Sequence, residues 1–84
     1  MELKRRNIHK NQMAVLKKFI ILMDLLAQAK NNPISRKQIR EQTGWGEGTV
    51  WNYMKTLEQL MSDRLYSAPR YSDRGGRTTV FWLE

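Results

Sequence analysis

In the stretch TGWGEGTVWNYMKTLEQL, Thr43 to Leu60, the residues able to do chemistry are hydrogen-bond donors and acceptors, not nucleophiles. Trp51 and Asn52 stand on the side opposite an apolar stripe of Val50, Met54, Leu57, Leu60 and Met61, whose spacings of three and four predict a helix. Gly46 and Gly48 crowd its opening, although glycine costs roughly 1 kcal/mol against alanine inside a helix. Catalysis has little to work with. The chain has one histidine, His9, and no cysteine, and Asp24, Glu41, Glu47, Glu58, Asp63 and Asp73 are spread without a convergent carboxylate pair. GWGEG has neither the spacing nor the lysine of a phosphate-binding loop, and a metal site would need ligands this chain hardly has. The chemistry on offer is recognition, so no enzyme, cofactor or metal is expected.

What is recognised is suggested by charge. Fifteen Lys and Arg face eight Asp and Glu, for a net charge of +7. Such an excess points to an anionic partner, nucleic acid ahead of a membrane surface. The basic residues gather at the two ends: Lys4, Arg5, Arg6 and Lys10 in one, Arg64, Arg70, Arg74 and Arg77 in the other. With 84 residues the chain suits one small domain. Lack of cysteine fits a reducing compartment. No apolar run is long enough to span a membrane, and MELKRRNIHKNQ lacks the apolar region of a signal peptide, so a cytoplasmic protein is expected.

The elements that must position these residues are three helices and a hairpin. A basic, flexible tail is expected over residues 1–10, and a first helix over about 11–30, stopped by Asn31, Asn32 and Pro33. Met13, Leu16, Phe19, Ile20, Met23 and Leu26 form one stripe on it, with Val15, Ile21, Leu22, Leu25 and Ala29 off that stripe. A helix apolar nearly all round is buried on more than one side. So short a chain has little to cover both, and a homodimer through this helix is expected. In ISRKQIREQTG, Ser35 and Gln38 have the spacing of a capping box, Ile34 and Ile39 that of a hydrophobic staple, and Gly44 can end the helix with positive φ. The second helix therefore covers about 35–43 and the third about 47–64, joined by a short glycine-containing turn. Beyond it, DRGG between two extended runs predicts a hairpin over about 65–83, with Pro69 at an edge and Phe81 and Leu83 facing the core.

ISRKQIREQTGWGEGTVWNYMKTLEQL followed by RYSDRGGRTTVFWL resembles the turn, recognition helix and wing of winged helix-turn-helix regulators of bacterial, archaeal or viral type. The resemblance runs from about Met13 to Leu83. It implies an α+β fold, mostly α, of three helices and a C-terminal β-hairpin wing. The chain departs from the pattern at Arg40, where alanine is frequent, and at Ser62-Asp63-Arg64-Leu65, where glycine-leucine is usual. These departures leave the subfamily open.

The resemblance implies double-stranded DNA as partner, with the third helix in the major groove. Gly46 and Gly48 then let its start approach a phosphate, to which Thr49 can donate. Asn52 can pair with adenine, Lys55 can reach guanine or phosphate, and Trp51 can meet thymine methyls or pack internally. Arg36 and Lys37 on the second helix, Arg70 on the incoming strand, and Arg74 and Arg77 beside the Gly75-Gly76 tip are the expected backbone or minor-groove contacts. Trp45 and Tyr53 are expected to be structural. With no residues left after the wing for an effector domain, no small-molecule effector is expected. The rival readings are a winged-helix protein–protein adaptor and an RNA-binding or replication-initiation module.

Overall fold

A computed structural model describes residues 10–84. The basic tail expected over 1–10 lies outside the described residues except for Lys10, which opens the first helix. The architecture is α+β and mostly helical: α1 (Lys10–Gln28), β1 (Ile34–Ser35), α2 (Arg36–Thr43), α3 (Glu47–Leu60), β2 (Leu65–Tyr71) and β3 (Arg77–Leu83). The strands form one antiparallel sheet in the order β1-β3-β2. This arrangement is compatible with a winged helix. No helix among the described residues is long and apolar enough to cross a membrane.

The core is where the three helices meet one face of β3. Leu22, Leu26, Ile39, Val50, Met54 and Leu57 are all but sealed from solvent, and Phe81 and Leu83 close the layer from the sheet, as their alternation requires. Pro69 sits on edge strand β2, opposite Thr79, where its missing N–H is tolerated. Trp82, half-buried against the core, stacks on its cross-strand partner Tyr66 at 5.8 Å and donates its indole N–H to Glu84 Oε2. That bond, with the Lys30 ammonium 3.2 Å from the other carboxylate oxygen, holds the Glu84 carboxyl below its ordinary pKa.

Three expectations change. The buried side of α1 is Leu22, Leu26 and Ala29, with Phe19, Met23 and Leu25 partly covered, whereas Met13, Leu16 and Ile20 of the expected stripe are exposed. α1 packs chiefly on β3, and the residues it turns toward that strand and the core are the buried ones. α3 ends at Leu60 instead of about residue 64, because Met61 leaves helical geometry at φ −129° and its carbonyl accepts from Leu65 N, turning the chain into β2. The hairpin also gains a third strand: Ile34 and Ser35 pair with Phe81 and Val80.

α2 forms as its sequence dictates. Ser35 Oγ accepts from Gln38 N at 3.2 Å while Gln38 Oε1 accepts from Ser35 N at 2.9 Å, so both halves of the capping box exist. Ser35 is 7 % exposed and belongs to β1 as well, so one residue joins sheet to helix. Ser35→Ala should therefore cost about 1 kcal/mol. A thermal melt followed by circular dichroism should show a midpoint lower by roughly 4–8 °C.

Candidate nucleic-acid interface

The turn that aims α3 is held by one hydroxyl and one glycine. Thr43 Oγ1 donates to Ile39 O at 2.7 Å and accepts from Trp45 N at 3.2 Å. Gly44 takes φ +77°, a region side chains avoid, and its N–H closes on Arg40 O at 2.7 Å. Trp45 then lies against Tyr53 with ring centroids 5.8 Å apart, and Tyr53 against Phe19 of α1 at 4.6 Å. Lys18 Nζ stands 5.9 Å from both the Trp45 and Tyr53 rings. An aromatic chain thus fixes the start of α3 to α1, and both Trp45 and Tyr53 are structural, half-buried residues.

The face of α3 turned from the core is polar. Val50, Met54 and Leu57 are buried inward, while Gly48, Asn52 and Lys55 are exposed outward with Gln59 one turn further on. Gln59 shares the 48-52-55-59 spacing and belongs with this face. Gly46 caps α3 with no side-chain bond, and an added Cβ at Gly46 or Gly48 would meet nothing within 4 Å. The backbone there is open to close approach. Glu47 stands exposed in this first turn, in no ion pair among the described residues, and its carboxylate opposes a phosphate at the helix start. Thr49 is half-buried at the edge of the face.

Trp51 does not pack inward. It is 49 % exposed, and Lys55 Nζ rests 4.6 Å from its ring centroid, one helical turn away. Arg36 joins them, lining the same shallow hollow as Trp51, Lys55 and Glu58. Its guanidinium carbon is 4.8 Å from the Phe81 ring, which places the start of α2 beside the sheet and α3. Lys37 is exposed in the first turn of α2.

The hairpin tip closes on Ser72. Its carbonyl accepts from Gly75 N at 3.0 Å, its N–H donates to Gly76 O at 2.9 Å, and its hydroxyl accepts from Gly76 N at 3.0 Å. Gly75 alone of the glycine pair takes positive φ, +83°. Arg74 and Arg77 flank this tip with exposed side chains. Arg70 is differently employed: its Nη2 donates to Pro33 O at 2.7 Å, tying β2 to the segment before β1. The structure thus gathers Arg36, Trp51 and Lys55 into one cluster, keeps Gly48, Asn52 and Gln59 on the same helix face, and diverts Arg70 to the scaffold. Among the described residues no group of three or more His, Cys, Asp or Glu side chains could hold a metal ion.

Comparison with known proteins finds no matching family model, no matching curated protein and no matching solved structure.

If the Thr43 hydroxyl sets the turn, Thr43→Val loses an accepted and a donated bond and leaves Trp45 N unpaired. The expected loss is about 1–2 kcal/mol, read from urea unfolding at an unchanged denaturant slope.

Proposed function

We propose that this chain is a winged helix-turn-helix protein that binds double-stranded DNA sequence-specifically, as a small dimeric transcription regulator. The observation that carries the reading is the outward face of α3, where Asn52, Lys55 and Gln59 are exposed along one line behind a side-chain-free opening at Gly46 and Gly48, on a chain of net charge +7.

A helix laid in the major groove presents such a line to base edges. The Asn52 amide offers one donor and one acceptor, the pattern that matches adenine N6 and N7. Lys55, held over Trp51, reaches guanine or a phosphate from a fixed side, and the free part of the Trp51 ring meets thymine methyls. Arg36 and Lys37 then face the backbone. Arg74 and Arg77 carry the wing tip to phosphates or into the adjacent minor groove. Arg70 braces the wing through Pro33 O, and the rest of its exposed guanidinium faces the backbone with them. A protein-docking role for Trp51 is disfavoured by the ammonium over its ring, which an apolar partner would have to displace. Duplex RNA is disfavoured because its major groove is too narrow for α3.

Selection from random duplex DNA at moderate salt should enrich one motif, an inverted repeat whose half-sites lie about one helical turn apart. Asn52→Ala should flatten preference at one position per half-site, a loss of about 1–3 kcal/mol of discrimination. Arg74→Ala with Arg77→Ala should instead weaken all duplexes alike and make the dependence on salt shallower. Retention without an enriched motif would overturn sequence-specific reading, and no retention at low salt would overturn DNA binding.

A further inference from the structure

Met13, Leu16, Ile20 and Ala27 are exposed along one line of α1, and half-buried Met23 borders the core on the same line, so the five follow one another at spacings of three, four, three and four. That is the apolar seam of a helix built to pack along another helix. Met13, Leu16 and Ile20 are 44, 52 and 66 % exposed, so the described residues of the monomer leave the seam largely uncovered. At its C-terminal end the seam opens into a cleft of about 380 Å³ where Ile20, Met23 and Ala27 face Met61 and Leu83.

The flanking charges decide what fits. Lys17 and Asp24 are both exposed, seven residues apart, and border the same edge of the seam. Asp24 Oδ2 accepts from Gln28 Nε2 at 3.0 Å, which holds the carboxylate on that edge. When two copies of such a helix run antiparallel, like edges meet, and Lys17 of each copy comes opposite the partner's Asp24. When they run parallel, this edge meets the opposite one, where Leu26 is sealed in the core and Phe19 packs on Tyr53, so that no carboxylate faces Lys17. We propose that two copies of this chain associate through antiparallel α1 helices, with Ile20 opposite the partner's Met23 and Leu16 opposite the partner's Ala27.

The same register suits the packing. It sets the large Leu16 against the small Ala27, whose surroundings include the open cleft, and it forms two reciprocal Lys17–Asp24 pairs about a two-fold axis between Ile20 and Met23. The proposal rests on the dimeric half of the reading above and gives that dimer its geometry. Two-fold symmetry in α1 places the two α3 helices in equivalent, oppositely directed positions, as an inverted repeat requires.

The chain has no cysteine, so introduced thiols report geometry directly. Leu16→Cys and Ala27→Cys sit at exposed positions. Mixed and oxidised, the two variants should give a cross-linked dimer, while neither should cross-link to itself. Wild type should sediment at twice its 10.0 kDa mass at micromolar concentration. Lys17→Glu should weaken association about tenfold by setting like charges opposite each other, and adding Asp24→Lys should restore it. Efficient self-cross-linking of either single variant, a monomeric mass, or indifference to Lys17→Glu would overturn the arrangement. A monomer that still enriches a duplex motif would overturn it and leave the DNA reading standing. An antiparallel dimer that retains no DNA would establish it without that reading.

Discussion

Gly44 holds φ at +77° while Thr43 bridges Ile39 O and Trp45 N, and the relation of α2 to α3 depends on that junction. A residue with a Cβ is strained there, and a helix of eight residues has too few bonds of its own to absorb a shift in its end. Because the turn is short, the apolar sides of both helices reach one core: Ile39 from α2, and Val50, Met54 and Leu57 from α3. The outward placement of Asn52 and Lys55 follows from that burial. Change the turn and the outward face rotates with the core residues that share its helix.

Much of this was legible in the residues. Ser35, Gln38 and Gly44 define α2 because capping and left-handed geometry are local demands that few residue types meet. The alternation in Thr78–Leu83 correctly sends Phe81 and Leu83 inward for the same local reason. β1 leaves no signature in the residues because it is two residues long and one of them, Ser35, already serves as a helix cap. In α1 apolar residues lie nearly all round, so periodicity could not single out Leu22, Leu26 and Ala29 as the side that meets the core. Arg70 could not be told from the wing arginines by type or charge, since only the fold brings Pro33 O within 2.7 Å of it. Gln59 was readable from its spacing behind Asn52 and Lys55.

α1 is thus asked to do two things by one sequence. Its C-terminal half fills the core, while its outer seam has nothing in the described part of the monomer to lie against. The polar face of α3 and the apolar seam of α1 are separate surfaces with opposite chemistry. One suits a charged, hydrated partner and the other a second apolar helix.

The central claim, that α3 and the hairpin tip meet DNA together, is tested most directly by amide chemical shifts of ¹⁵N-labelled protein as a mixed-sequence duplex is added. The account predicts saturable changes clustered in Gly46–Lys55 and in Ser72–Arg77, with the middle of β2 and the buried side of α1 little altered. Saturable changes confined to other surfaces, with the α3 amides unmoved, would contradict it.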